Sequence, residues 1–262
     1  MLELINVTKI FNKGTVNEKI ALDSINLTLN DKDFVTIIGG NGAGKSTLMN
    51  IISGKIKPDS GKIIIDGKDI TSMSEHRRAR FFGRVFQDPL MGTASNMLIE
   101  ENLSVASKRG KARTLRFGIT KKERAEYKEL LKELDLGLEN RLKTEVGLLS
   151  GGQRQALTLL MASMNKPDLL LLDEHTAALD PKTSATVLSI TKKIVEENSL
   201  TTLMITHNMH DAIKYGNRLI MMNNGKIVLD LDGEDKASLT VASLLGRFGQ
   251  NDEIAANDRL LL

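Results

Sequence analysis

Hydrophobic and polar positions along this chain repeat with two periods, and each switch between them marks the start of a new element. Leu2-Glu3-Leu4-Ile5-Asn6-Val7 alternates imperfectly and Ile25-Asn26-Leu27-Thr28-Leu29 cleanly. Both are predicted as half-buried strands of an antiparallel opening, around a polar turn at Asn12-Lys13-Gly14. Asp33-Phe34-Val35-Thr36-Ile37-Ile38 reads as a short buried strand, followed by helical spacing from Ser46 to Ser53 that stops at Gly54. Lys57-Pro58-Asp59-Ser60-Gly61 is a turn, Lys62 to Asp66 a strand, and Asp66-Gly67 a hairpin signal. Phe81 to Phe86 forms a strand that a proline at 89 brings to an end. The period then becomes helical over Asn96–Leu103, Lys121–Leu134 and Gln153–Met164. Asp168–Glu174 and Leu200–Thr206 are continuous apolar runs of the kind buried on both faces of a parallel sheet, and Leu219–Leu229 is a hairpin turning at Asn224-Gly225.

The chemistry collects at the ends of these strands. Gly39-Gly40-Asn41-Gly42-Ala43-Gly44-Lys45-Ser46-Thr47 has phosphate-loop spacing, with Gly39, Gly44, Lys45 and Ser46 on the fixed positions, and it stands between a strand and a helix as that motif requires. Its glycines let backbone N–H groups turn toward phosphate oxygens, and the helix N-terminus adds roughly half a positive charge. Lys45 would reach the terminal phosphates and Ser46 would ligate Mg2+. Gln87 lies at the C-terminal edge of its strand, where open parallel sheets meet their ligands; alone it is an unremarkable polar residue. Asp173 and Glu174 end an apolar strand, the first placed for a Mg2+ shell and the second for orienting or deprotonating a water. His207 reaches the same edge, although a lone histidine is more often structural. Ser150-Gly151-Gly152-Gln153 opens a helix and offers a second anion site. Phe11 follows the first strand as a stacking surface for a base or as a plain core residue.

Composition narrows the classes. At 262 residues the chain has room for a sizeable core with one embedded subdomain. No apolar run approaches the about 18 residues of a membrane span, and the start lacks the regions of a signal peptide, so a soluble cytoplasmic protein is expected. Zero cysteines exclude disulfides and thiolate metal sites, leaving any metal to arrive with the nucleotide. A net charge of +3 and 3% aromatics argue against a nucleic-acid partner.

Taken together, the phosphate loop, Gln87, Leu149-Ser150-Gly151-Gly152-Gln153, Leu172-Asp173-Glu174, Leu179-Asp180 and His207 occur in the order of an ABC-type ATPase. From Leu2 to about Leu231 the chain resembles an ABC transporter ATP-binding subunit, and the Ser-Gly-Gly-Gln signature about 20 residues before the acidic strand end is the specific part. The resemblance implies an α/β fold: a P-loop NTPase core (1–87 and 166–235) with an antiparallel β subdomain, an inserted α-helical subdomain (88–165) and a tail (246–262). It implies two copies lying head to tail, each ATP held by one chain's phosphate loop and the other's signature. Phe11 would stack on adenine, and Lys45 with the amides of Gly42 to Thr47 would hold the phosphates. Ser46 and Gln87 would complete the Mg2+ shell with Asp173. Glu174 would polarise the water, His207 would contact the γ-phosphate, Ser150 and Gly152 would reach the partner's γ-phosphate, and Asp180 would couple the two sites. The subunit would sit on the inner face of the membrane through permease subunits.

Two positions depart from the family pattern: His175 where proline is frequent, and Met161 where arginine is common in the signature helix. The stretches around Gln87-Asp88-Pro89 and Asp173-Glu174-His175-Thr176 resemble one bacterial branch encoded with a permease and a substrate-binding lipoprotein, some members of which take up aromatic amino acids. An importer is therefore expected, with an exporter ATPase or a soluble ABC ATPase of DNA repair or translation as the alternatives. A P-loop kinase or GTPase fails on the signature and His207. Finally, Lys108–Arg124 carries eight Lys or Arg against one Glu, so the +3 of the chain is a +7 segment set in a remainder of −4. A solvated loop, contact with permease or anionic lipid, and nucleic acid all remain open for it, with the membrane-facing side as the expected location.

Overall fold

In chain order the computed structural model, which describes residues 1–111 and 118–249, runs β1 (Leu2–Phe11), β2 (Lys19–Leu29), β3 (Phe34–Ile38), α1 (Lys45–Ser53), β4 (Ser60–Ile65), β5 (Lys68–Asp69), α2 (Glu75–Arg78), β6 (Phe82–Val85), α3 (Ile99–Ser107), α4 (Lys121–Lys132), α5 (Gly151–Ser163), β7 (Leu169–Asp173), α6 (Pro181–Asn198), β8 (Thr202–Ile205), α7 (Met209–Lys214), β9 (Arg218–Asn223), β10 (Lys226–Asp232), α8 (Gly233–Ala237) and α9 (Val241–Gly249). The chain divides into two compact units, Met1–Arg78 with Thr201–Leu262, and Ala79–Leu200. Residues 112–117, in the middle of the basic segment, and 250–262 of the tail lie outside the described residues.

In the first unit the alternating strands form a sheet of order β2-β1-β4-β5. Leu2 faces Leu29 and Ile65 across it, Leu4 faces Leu27 and Ile63, and all six side chains are buried while Glu3 and Thr28 take the other face. The apolar runs instead make parallel pairs, β3 with β8 and β3 with β9, and every residue of β3 is buried. Thr36, the polar residue among them, donates its hydroxyl to the Ala212 carbonyl at 2.9 Å. The hairpin of β9 and β10 turns at Asn224 (φ 47°) and Gly225 (φ 76°), the double left-handed geometry that an Asn-Gly pair favours. A second core of Ile38, Ala212, Leu219, Met221, Leu239 and Leu244 seats α7 and the C-terminal helices on this sheet.

In the second unit β6 pairs with β7, again parallel, and the regular elements described between them are helical. Helix α5 is buried along most of its length, and a Cβ on Gly83 of β6 would collide with the Ala162 carbonyl near its end. Helix α6, which is not among the elements expected from the sequence, is capped by Asp180, begins at Pro181 and ends at the left-handed Ser199. The basic segment is less uniform than its composition implies. Arg109 is part-buried and donates to the Ala162 carbonyl at 2.7 Å, and Arg124 makes a two-pronged pair with Glu100 at 2.5 and 2.9 Å. Both side chains brace the helices, so not every charge here serves a solvated surface. Arg113 lies outside the described residues.

One charge is fully buried where composition alone gives no warning. Arg78 donates to the carbonyls of Ile51 and Ile52 at 2.8 Å each, and to those of Met73 and Thr71 at 2.9 Å each. The Ile51 and Ile52 groups belong to the last turn of α1, whose carbonyls lack helical partners. Arg78→Met would keep the bulk but take the guanidinium from all four carbonyls, of which that of Ile51 keeps the Gly54 N–H as a donor, so chemical denaturation should show a loss of about 3 kcal/mol. A loss near zero would mean that water replaces the guanidinium.

Candidate nucleotide site

Strand pairing explains how the first unit assembles its part of the site. Ile37 of β3 lies opposite Ile205 of β8, and the Thr206 N–H donates to the Ile37 carbonyl at 3.1 Å. The chain therefore leaves both strands at one edge, into Gly39–Thr47 from β3 and into His207 from β8. His207 is exposed there. Its backbone is fixed by Asn208, which donates its N–H to Thr206 Oγ1 and accepts from the Asp211 N–H as the cap of α7.

The loop turns sharply through Gly39 (φ 152°) and Gly44 (φ 105°). A Cβ on Gly39 would collide with the Met222 carbonyl oxygen, and one on Gly44 would come within 2.5 Å of the Ala21 carbonyl oxygen. Lys45 opens α1 and is buried, with its Nζ donating to the carbonyls of Gly39 at 2.5 Å and Gly40 at 3.1 Å. No acidic residue occupies the first turn of α1, so the helix N-terminus keeps its attraction for anions. Ser46 is exposed beside it.

Phe11 is the last residue of β1 and pairs with Lys19 of β2, while Lys9 Nζ stands 5.6 Å from its ring centroid. Lys19 links the aromatic to the loop, because a Cβ on Gly42 would meet Lys19 Nζ at 3.2 Å. Lys19 is not among the site residues expected from the sequence. A basic residue after a polar turn looks like any solvated strand end until the register is known.

The second unit carries the remaining residues. Val85 lies opposite Leu172, so Gln87 and the Asp173-Glu174 pair follow their strands at one edge. Gln87 is exposed, and the carbonyl before it, that of Phe86, accepts from Gln155 Nε2 of α5 at 2.9 Å. Asp173 Oδ2 accepts from Arg84 at 3.1 Å. Glu174 adopts φ 45°, a left-handed conformation costing of order 1 kcal/mol for a side chain with a Cβ. The turn that closes over it is held by the Ala177 N–H on the Glu174 carbonyl at 3.0 Å.

Ser150 is the N-cap of α5. Its Oγ accepts from the Gln153 N–H while the Gln153 side chain accepts from the Ser150 N–H, each at 3.3 Å. The signature spacing is thus a capping box, and it leaves the Ser150 O–H to donate to an anion in front of the helix. Gly151 and Gly152 are needed for close packing: a Cβ on Gly151 would approach Leu179 at 3.3 Å, and one on Gly152 would collide with the Thr183 methyl. Asp180 caps α6 by accepting from the Thr183 N–H at 3.1 Å, and hydrogen bonds from Thr183 hold its carboxyl below the usual carboxylate range.

A family model described as ABC transporter matches residues 22–177. The chain belongs to the ABC transporter family. It is 46% identical over 248 residues to the tyrosine transport ATP-binding protein of Clostridioides difficile, a match covering 95% of this chain and 98% of that one. Against the methionine import ATP-binding protein MetN of Rhizobium johnstonii it is 36% identical over 229 residues, covering 86% of this chain and 60% of the longer relative. Among solved structures it is similar to a dimeric ATP-binding cassette in a post-hydrolysis state bound to ADP and Pi. That match has 31% identity and a TM-score of 0.74, and covers 88% of this chain and 98% of that one. It is also similar to cbiO1 from Clostridium perfringens, part of the ABC transporter complex cbiONQ, with 25% identity, a TM-score of 0.76 and coverage of 95% and 94%. The fold is that of an ABC cassette, and the chain is an ATP-hydrolysing subunit of an ABC transporter. No helix among the described residues is long and apolar enough to cross a membrane.

Within this ABC cassette, the departure at His175 has a structural use. The ring is 2% exposed, and its Nε2 lies 3.0 Å from Thr191 Oγ1 on α6. The Thr191 hydroxyl already donates to the Val187 carbonyl at 2.8 Å, so His175 must be the donor, neutral and protonated on Nε2. Burial pushes its pKa down to about 4 from 6.5. Unfolding then takes up a proton between those values, so this contribution to stability is complete above pH 6.5 and is lost as the pH falls through the window. Between pH 7.5 and pH 5 the loss should be about 2 kcal/mol, and His175→Gln should remove that part of the pH dependence in urea titrations. Parallel pH profiles for the two proteins would show that His175 does not titrate this way.

Proposed function

We propose that the subunit binds ATP as one of a head-to-tail pair beneath the permease of a bacterial amino-acid importer. The observation that carries the reading is the phosphate loop, with Lys45 at the N-terminus of a helix free of acidic residues in its first turn. Lys45 would exchange the carbonyls of Gly39 and Gly40 for phosphate oxygens, and the amides of Gly42 to Thr47 would hold the remaining charge. Phe11 would take the adenine. The inserted subdomain, 88–165, would carry Ser150 and Gly152 to the partner's γ-phosphate, with Asp180 coupling the two sites.

Among the described residues no group of three or more His, Cys, Asp or Glu gathers to hold a metal. The donors assigned to one are oxygens, the Ser46 hydroxyl, the Gln87 side-chain carbonyl and the Asp173 carboxylate. That set suits Mg2+, which keeps several waters and binds through one or two carboxylates plus substrate phosphates. When bound, Mg2+ neutralises charge developing on the phosphates. Glu174 accepts the proton of the attacking water, and His207 positions that water against the γ-phosphate. Hydrolysis then needs placement and charge stabilisation and no covalent intermediate.

The likeness to the tyrosine transport protein over nearly the full length of both chains supports an aromatic amino acid as the cargo. A permease and a substrate-binding lipoprotein would complete the system. Inside-out vesicles that carry this subunit with its permease and enclose the binding lipoprotein and tyrosine should release tyrosine only when ATP is added outside, and failure with tyrosine but not with another amino acid would reassign the cargo.

Glu174→Gln is nearly isosteric but cannot accept the proton. Hydrolysis should fall by about 10^2- to 10^4-fold while nucleotide binding survives. With ATP and Mg2+ the variant should then accumulate as a dimer in analytical ultracentrifugation, and ADP should not have this effect. A monomer with ATP confirmed bound would count against the shared site, and near wild-type turnover would remove Glu174 from its role.

A further inference from the structure

Asp173, the acid assigned to Mg2+, already has a cation. Arg84 of β6 donates to Asp173 Oδ2 at 3.1 Å, and both side chains are mostly buried, at 12% and 16% exposure. The register explains the reach. Arg84 lies opposite Leu171, and Asp173 is the next residue of β7 on the same face. Just past the end of β6, the ring of Phe86 receives the guanidinium at 4.8 Å from its centroid. Arg84 is thus held between an aromatic face and a carboxylate, on the strand that leads directly into Gln87.

We infer that Arg84 is the counter-cation of Asp173 in the metal-free subunit, a positioning residue that sets how much Mg2+ the ATP site requires. The inference rests on the assignment of Asp173 to the metal shell made above. A carboxylate this buried is costly to leave unpaired, and the guanidinium removes that cost while aiming the carboxylate. A dication entering the Asp173 shell meets the same guanidinium as a like charge, so the contact that steadies the metal-free protein opposes the metal. Arg84 therefore acts with opposite signs in the two states. A brace without electrostatic work would act with one sign, because losing it would weaken folding and metal binding together.

The test uses the full chain with Arg84→Met, which keeps bulk against Phe86, Arg84→Gln as a second neutral variant, and Arg84→Lys, which keeps the charge. Melting without nucleotide is compared with the Mg2+ concentration that half-saturates the fluorescence change of a bound fluorescent ATP analogue. The neutral variants should melt lower than wild type yet need about tenfold less Mg2+, with unchanged analogue affinity in EDTA. Arg84→Lys should need Mg2+ close to the wild-type amount. If the neutral variants need as much Mg2+ as wild type or more, Arg84 is only a brace and the inference falls. Asp173→Asn separates this failure from failure of the underlying assignment. A raised Mg2+ requirement in Asp173→Asn keeps the metal role of Asp173, whereas no change removes both that role and the inference built on it.

Discussion

The first unit is arranged around a steric limit, the approach of the phosphate-loop backbone to two other strands. At Gly39 the loop lies against the Met222 carbonyl, and at Gly44 against the carbonyl of Ala21. The Gly225 N–H closes the arrangement on the Ala43 carbonyl at 3.0 Å. Any side chain at these glycines would push the loop off the β9–β10 hairpin and off β2, and with it the start of α1. Arg78 secures the other end of the same helix by saturating its last carbonyls. The N-terminus of α1 is therefore positioned from behind by close packing, and the helix is held at its far end by hydrogen bonds.

The motifs legible in the sequence are those whose chemistry is local. A strand, a glycine loop and a helix declare a phosphate loop because all three lie within 21 residues of one another. Ser150 and Gln153 declare a helix start because a capping box is a three-residue device. The apolar runs at β3, β7 and β8 were legible because both of their faces are buried. The short turns at Asp66-Gly67 and Asn224-Gly225 were legible from backbone preference.

What escaped depends on partners distant in the chain. Helix α6 is the exception, since Val187, Leu188, Ile190, Ile194 and Val195 recur at helical spacing behind an Asp-Pro start and its signal is local. Arg109 and Arg124 were counted into one basic segment because composition does not reveal that their partners are a carbonyl 53 residues away and a glutamate 24 residues away. The contacts of Lys19 with the loop and of Arg84 with Asp173 follow from strand register, which no single stretch encodes. His175 could be flagged as a departure, yet its tautomer and burial follow only from Thr191 and the carbonyl which that residue serves.

The packing of Gly151 on Leu179 and of Gly152 on Thr183 has a consequence for how a signal would travel. With no side chain between them, the start of α5 and the start of α6 meet almost backbone to side chain, and their caps, Ser150 and Asp180, stand on that seam. Such a joint has little slack. The path from the serine to the aspartate across this seam is short, whereas a side chain at Gly152 would have to push Thr183 away and part the two helix starts. Stiffness at this seam is a mechanical property that two hydrogen atoms in place of two methyl groups can supply.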